Sequence, residues 1–350
     1  MDIVLLAVSF CIILAGAELF TNGIEWFGHK LGLAEGAVGS VLAAVGTALP
    51  ETMIPLIAIV FTGGAAASEV GVGAILGAPF MLSTLAMFVS GVAVLLVARR
   101  RSTGDIMLVK PAVLFHDMTF FALAYGIALG VAFVPADLTW PRWVVAVVLL
   151  GIYAWYVREH FRADEVGGEP DLASLRMHRL DRWAPAAERS PRLRIVTVQV
   201  VVALGLIVLG ATAFVQSVEH LASTLGVDGT LLALVVAPIA TELPEKFNSV
   251  IWIRQGKDTL AMGNITGAMV FQSTIPTVVA LVFASSHWAI GPGTTIAFVS
   301  AAITFVSAGV IFIPMVRSGR LLGRRLLTGG LFYLVYLGIV GAAVGGLIPE

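Results

Sequence analysis

Charged side chains are scarce in this chain: Asp, Glu, Lys and Arg make up only 12% of its 350 residues, whereas 58% are hydrophobic. A soluble domain has about 25% charged residues, so this composition and the mean hydropathy of +0.96 exclude an ordinary water-soluble core. Cysteine occurs once, at Cys11, which excludes an internal disulfide framework. These shortages predict an all-α integral membrane protein.

Motifs of the common hydrolytic enzymes are also missing. The sequence contains neither Gly-x-Ser-x-Gly nor His-Glu-x-x-His, so an intramembrane enzyme with a resident metal or cofactor is not expected. The net charge of −1 gives no indication of a nucleic-acid partner. The expected partners are transported cations and the lipid bilayer, and the sequence leaves the oligomeric state open.

Long apolar runs are what the sequence does have, and about 20 apolar residues span a bilayer as a helix. Ten candidate transmembrane helices are predicted, at residues 3–23, 36–61, 71–97, 110–134, 141–157, 195–218, 230–253, 259–284, 293–315 and 326–347.

Basic residues lie mainly in every second connection, which predicts the orientation of the helices. Residues 158–194 alone carry eight arginines, whereas residues 62–70, 219–229 and 285–292 carry no Lys or Arg, and Arg142 is the one exception. The basic side is expected to be cytoplasmic, in a plasma (inner) membrane. The 158–194 connection is predicted to be a solvated linker, or to form a short amphipathic surface helix over Leu172–Trp183.

The chain contains an internal repeat. A shift of 194 residues places Gly16 on Gly210 and Gly46–Glu51 on Ala240–Glu245, and a shift of 190 places Gly73–Ala78 on Gly263–Ala268. Each copy contains five predicted helices, an odd number, so the second copy enters the membrane from the opposite side. The sequence thus predicts two inverted-topology five-helix repeats, residues 1–157 and 195–350, joined by a cytoplasmic loop at 158–194.

The repeated hexapeptide places a carboxylate and a proline within an apolar run, in predicted helices 2 and 7. Proline removes a backbone donor and breaks the helix, and a carboxylate at the bilayer midplane indicates a functional site. Carboxylates, hydroxyls and freed carbonyls are oxygen ligands that suit Ca²⁺. The candidate cation ligands are Glu51, Glu245, Thr47, Thr241, Glu242 and Gln272.

Two features near the motif allow more than one interpretation. Lys246 follows Glu245 directly, and it is expected either to extend toward the membrane surface or to neutralise Glu242 or Asp117. The His116-Asp117 pair either relays protons or is a structural polar pair.

The two hexapeptides resemble the first motif of the cation/Ca²⁺ exchanger superfamily, in particular the sodium/calcium exchangers, which reads Gly-Thr-Ser-Leu-Pro-Glu. This resemblance implies that Glu51 and Glu245 are the central Ca²⁺ ligands, that Thr47 and Thr241 add oxygens, and that helices 1 and 6 move during transport. The family's second motif, roughly Gly-Asn-x-x-Gly-Ser-Asn-x-x-Asn/Asp, is matched less well by Gly73–Leu82 and Gly263–Gln272. Gln272 stands where the family has Asp or Asn, and several family Ser and Asn positions are replaced, at Ala78, Pro79, Leu82, Ala268 and Met269.

Together, the residues and the resemblance predict a secondary antiporter that exchanges Ca²⁺ for Na⁺. Because the replaced Ser and Asn positions help bind Na⁺ in the family, H⁺-coupled exchange stays open. Crowding of Glu51, Glu242 and Glu245 favours the protonated form of at least one of them. A non-transporting, degenerate relative is the third possibility.

Overall fold

The computed structural model describes residues 2–62, 65–162, 172–178, 191–224, 242–291, 294–344 and 347. Eight helices in these ranges are long and apolar enough to cross a membrane. They span Val4–Lys30, Gly71–Arg100, Pro111–Phe133, Trp140–Arg162, Leu193–Phe214, Asp258–Phe283, Thr295–Ser318 and Gly323–Ala343. All eight coincide with predicted transmembrane segments.

The α-helices are numbered here in chain order. In the first half they are α1 (Asp2–Lys30), α2 (Ala44–Thr47), α3 (Leu49–Leu56), α4 (Ala65–Met81), α5 (Met87–Val97), α6 (Pro111–Gly130) and α7 (Trp140–Arg162). In the second half they are α8 (Leu193–Thr224), α9 (Leu243–Arg254), α10 (Asp258–Gln272), α11 (Ile275–Phe283), α12 (Thr295–Ser318), α13 (Gly323–Leu326) and α14 (Thr328–Val344). Wider π-helical turns occupy Ala37–Ala43, Ile57–Thr62 and Leu82–Ala86.

The remaining two predicted helices, the second and the seventh, are interrupted or incompletely described. The second consists of the π-helical segment Ala37–Ala43, α2, α3 and the π-helical segment Ile57–Thr62. Of the seventh, only α9 lies within the described residues. The ten-helix count therefore stays a prediction.

Helices α1 and α8 pack closely, and their contact is reciprocal. A Cβ atom added to Gly16 would lie 2.9 Å from Cγ1 of Ile207, and one added to Gly210 would lie 2.9 Å from Cγ1 of Ile13. Ile13 and Gly16 of the first repeat correspond to Ile207 and Gly210 of the second by the same shift of 194 residues. Glycine permits this close approach between helices in lipid.

The basic connections meet at one end of the helix bundle. Strands β1 (Ile106–Met107) and β2 (Leu321–Leu322) pair antiparallel and join the connection before α6 to that before α13. Arg101, which follows α5, forms a buried ion pair with Asp258 at the start of α10. Three of the predicted basic connections are thus tied to one another.

Arg142 has a structural role that explains its place among the non-basic connections. Its buried guanidinium donates to the carbonyls of Val134 and Leu138 at 2.8 Å, Pro135 at 3.1 Å and Trp288 at 3.1 Å. These carbonyls belong to connections at the other end of the bundle. A charge satisfied in this way holds two connections together and is not a free basic residue.

A short part of the long connection lies within the described residues, and one of its side chains is anchored to the helices. Residues 172–178 include a turn but no regular α-helix, and they are not simply solvated, since Leu175 is buried against Trp26 and Val196. Trp26 also donates a 2.8 Å hydrogen bond to the carbonyl of Ala173. Apolar Leu175 thus packs into the junction of α1 and α8, a contact that sequence patterning could not identify. The rest of Leu172–Trp183 lies outside the described residues.

Candidate cation-binding site

The first hexapeptide interrupts a helix at Ala48, and the second has a similar backbone geometry at the equivalent residue, Glu242, where the described part of that helix begins. Ala48, between α2 and α3, has φ −79° and ψ 6°, and Glu242, before α9, has φ −88° and ψ 11°. These two residues are related by the shift of 194 and share a backbone geometry outside the α-helical region. Pro50 has no N–H, so the carbonyl of Gly46, four residues earlier, lacks its usual intrahelical donor.

Glu51 and Glu245 lie in the first turns of α3 and α9. Glu51 is 8% exposed and Glu245 is 0% exposed. Their carboxyl groups are close enough to interact with each other, although the two residues lie in different halves of the chain. None of their four carboxylate oxygens has a hydrogen-bond partner among the described residues. Two adjacent buried carboxylates without donors require a cation or protons to offset their charge.

Thr47 lies one turn before Glu51 and extends the polar site toward α10. Its hydroxyl is 3.2 Å from Oδ1 of Asn264 and donates to the carbonyl of Ala43 at 3.0 Å. The amide of Asn264 in turn donates to the carbonyl of Glu245 at 3.3 Å. Asn264 therefore connects the first-repeat and second-repeat parts of the site.

The π-helical segment before α2 approaches α10 at contact distance. A Cβ atom added to Gly267 would lie 2.0 Å from the carbonyl oxygen of Ser40, and one added to Gly263 would lie 2.8 Å from Ser40 Oγ. Both glycines lie on one face of α10, four residues apart. This close contact positions Asn264 against Thr47.

Glu242 also reaches the site, but it has a cationic partner. Nζ of Lys246 lies 3.0 Å from Oε2 of Glu242, and both side chains are buried. The sequence allowed Lys246 to neutralise either Glu242 or Asp117, and the structure pairs it with Glu242. Glu242 thus lies among the acids of the site while one of its oxygens is already satisfied.

The other two predicted ligands are placed less directly. Gln272 is buried, and its Nε2 has no hydrogen-bond partner among the described residues. It lies eight residues after Asn264 on α10, about 12 Å along the helix axis. Thr241 lies outside the described residues. Both stay predictions.

Sequence reasoning missed two polar residues on α9. Asn248 is fully buried and neither its amide nitrogen nor its oxygen has a partner among the described residues. Ser249 donates to the carbonyl of Ala261 at 3.0 Å and lies 3.4 Å from the amide nitrogen of Asn264. Their spacing of three and four residues from Glu245 places them on its helix face, a signal that was available in the sequence.

Asp117 forms a separate buried cluster that joins four helical segments. Its carboxylate accepts hydrogen bonds from Ser40 at 2.8 Å, Thr266 at 2.5 Å and Tyr156 at 3.0 Å, and Nε2 of His160 lies 3.1 Å away. Asp117 therefore cross-links α6, α7, α10 and the π-helical segment that precedes α2. This network fits the structural alternative for the His116-Asp117 pair. The ring of His116 is stacked with that of Tyr156 and tilted against that of His160.

The ligand set of the candidate site can be compared with what cations require. Within the described ranges, no group of three or more His, Cys, Asp or Glu side chains has the arrangement of a metal site. A cation between Glu51 and Glu245 would therefore need additional hydroxyl, amide or carbonyl oxygens. Hard cations such as Ca²⁺ accept such mixed oxygen ligands.

Comparison with known families gives one model that matches most of the chain. The model of the sodium/calcium exchanger protein family matches residues 1–158 and 195–345. Among curated proteins, a protein named as the antiporter CaxA of Alkalimonas amylolytica is 37% identical over 75 residues. That match covers 21% of this chain and 24% of CaxA, so the chain spans only about a quarter of this relative in the alignment.

Solved structures of the sodium-calcium exchanger NCX_Mj share the fold. One, soaked with 2.5 mM Na⁺ and 0.1 mM Ca²⁺, superposes with a TM-score of 0.70 at 15% identity and covers 96% of this chain and 97% of that one. Another, soaked with 2.5 mM Na⁺ and 0.1 mM Sr²⁺, gives a TM-score of 0.72 at 15% identity and covers 97% and 99%. At this identity the likeness shows the architecture, and the ions are those of NCX_Mj.

Proposed function

Because the chain belongs to the sodium/calcium exchanger family, we propose that this multi-pass membrane protein is a secondary active antiporter that exchanges Ca²⁺ for Na⁺ by alternating access. The observation that carries the proposal is the pair Glu51 and Glu245. Their buried carboxylates are adjacent, and their oxygens have no donor among the described residues. Competition of Ca²⁺ and Na⁺ for the same carboxylates would couple the two fluxes.

The proposed architecture consists of two inverted five-helix repeats, residues 1–157 and 195–350, joined by a cytoplasmic connection at 158–194. Two observations support it. The contact between α1 and α8 is reciprocal at Gly16 and Gly210, and Glu242, before α9, has a backbone geometry similar to that of Ala48 at the break between α2 and α3. Inverted repeats that meet at broken helices are a common plan of secondary transporters.

In the proposed site, Glu51 and Glu245 are the main ligands, Thr47 and Thr241 add hydroxyl oxygens, and Asn264 holds the two halves together. Gln272 is kept as a candidate polar ligand farther along α10. Glu242 contributes its charge to the site, while its bond to Lys246 limits its use as a direct ligand.

The test is Ca²⁺ uptake into liposomes that contain the purified protein, driven by an outward Na⁺ gradient. Glu51→Gln and Glu245→Gln each keep the side-chain size but remove one charge, and both are expected to lower uptake to the level of protein-free liposomes. Glu35→Gln is a matched control, because Glu35 forms an exposed ion pair with Lys110 at 3.0 Å. Full uptake by either site variant would refute the site assignment.

Exchange of Ca²⁺ for protons is the second candidate. It is favoured by the same unpartnered carboxylate oxygens, since two protons would neutralise the pair as two Na⁺ ions would. Uptake driven by a pH gradient in Na⁺-free medium would establish proton coupling. Uptake that requires Na⁺ at constant pH would exclude it.

A further inference from the structure

Among the described residues near the candidate site, Lys246 is a charged side chain whose role the exchange mechanism does not explain. It is 4% exposed, and Glu242, its partner, is 1% exposed. Nζ of Lys246 lies 3.0 Å from Oε2 of Glu242 and 3.4 Å from the carbonyl oxygen of the same residue. An ammonium group is therefore held inside the protein by two contacts at the start of α9.

The pair lies within electrostatic reach of the candidate ligands. The carboxylates of Glu51 and Glu245 both interact with that of Glu242, and Glu245 also interacts with the ammonium of Lys246. The three carboxylates and the one ammonium, all in their charged forms, give the cluster a net charge of −2. One divalent cation or two monovalent cations bring this charge to zero.

We infer that Glu242 and Lys246 form a resident ion pair that fixes the charge of the cation site, so that one Ca²⁺ exchanges for two monovalent cations without net movement of charge. This inference rests on the proposed antiport and adds its stoichiometry. It also assigns Lys246 as a specificity-determining residue: its tethered ammonium takes the place of a third monovalent cation.

The physical basis is the cost of an uncompensated charge in a medium of low dielectric constant. A site that changes its access from one side to the other passes through an enclosed state, where water no longer screens the charges. The neutral loaded states, with one divalent or two monovalent cations, are enclosed at the lowest cost. A lysine side chain suits the resident role because its ammonium is a compact point charge on a covalent tether.

The experiment measures the equilibrium distribution of Ca²⁺ across liposomes that contain the wild-type protein, with a fixed gradient of the driving monovalent cation. A K⁺ gradient with valinomycin sets the membrane potential to zero or to −100 mV. The distribution ratio of Ca²⁺ is expected to be the same at both potentials. Transport of one net charge would instead change it about 50-fold per 100 mV, and that change would overturn the inference while leaving antiport intact.

Two variants test whether the ion pair sets this behaviour. Lys246→Met removes the ammonium and leaves three uncompensated carboxylates, so a third monovalent cation is expected to enter and the roughly 50-fold dependence on potential to appear. The double variant Glu242→Gln, Lys246→Met restores a net charge of −2 and is expected to show no dependence on potential.

The outcomes separate the two proposals. Absence of gradient-driven Ca²⁺ movement in the wild-type protein would overturn the antiport and the inference with it. If the distribution of Ca²⁺ were independent of potential in Lys246→Met, as in the wild type, only the charge-setting role of Lys246 would be refuted. If Lys246→Met is not recovered as folded protein, the wild-type measurement and the double variant still decide the stoichiometry.

Discussion

Gly267→Ala is the substitution whose effect follows most directly from the packing of the site. The added Cβ atom would lie 2.0 Å from the carbonyl oxygen of Ser40 and 2.5 Å from its carbonyl carbon and Cα. Ordinary carbon contacts are about 3.5 Å, so backbone atoms must separate by roughly 1.5 Å. Backbone cannot rotate away as a flexible side chain can, and the displaced segment leads directly into α2 and Thr47.

The expected loss of stability combines two opposing effects. Overpacking costs about 1–3 kcal/mol, whereas replacing glycine by alanine within a helix returns up to about 1 kcal/mol. For a chain of 350 residues, a net loss of about 1–2 kcal/mol corresponds to a fall in Tm of about 1–3 °C. Displacement of Thr47 from Asn264 should also reduce Ca²⁺ uptake.

The assay is thermal unfolding of the purified protein in detergent, followed by intrinsic fluorescence. Gly126→Ala serves as the control, because Gly126 is an exposed glycine of α6 and an added Cβ would meet nothing within 4 Å among the described residues. It should match the wild type or melt slightly higher. If Gly267→Ala melted at or above the wild-type Tm, the close approach of α10 to the π-helical segment would be refuted.

Two further stability predictions concern buried charges. Asp117→Ala should lower the free energy of unfolding by about 3–5 kcal/mol, because it leaves three hydroxyl groups and His160 without their shared acceptor. Asp117→Asn should cost less. If both variants melted at the wild-type Tm, the cross-linking role of Asp117 would be refuted. Arg142→Leu should lower Tm by several degrees, since four buried carbonyl contacts are lost, and a wild-type Tm in that variant would show that water satisfies those carbonyls.

The sequence was sufficient to predict the broad architecture, because hydropathy and internal repetition are properties of the chain itself. All eight described membrane-spanning helices coincide with predicted segments. The hexapeptide correctly indicated the break at Ala48, and Glu242, at the equivalent position, has a similar backbone geometry at the start of α9. Proline and a carboxylate within an apolar run give a strong local signal for such breaks.

The polar contacts between helices could not be predicted, because they depend on helix rotation and packing. Asp117 draws its partners Ser40, Tyr156 and Thr266 from three other helical segments, and no spacing within the sequence relates them. The choice of Glu242 as the partner of Lys246 was open for the same reason. By contrast, Asn248 and Ser249 could have been found from their helical spacing to Glu245.

The central claim is that Glu51 and Glu245 hold one cation between them, and crystals of the protein soaked with Sr²⁺ test it most directly. The anomalous difference map is expected to show one peak within ligand distance of both carboxylates. A bound Sr²⁺ elsewhere in the helix bundle, with these two carboxylates taking no part, would contradict the account.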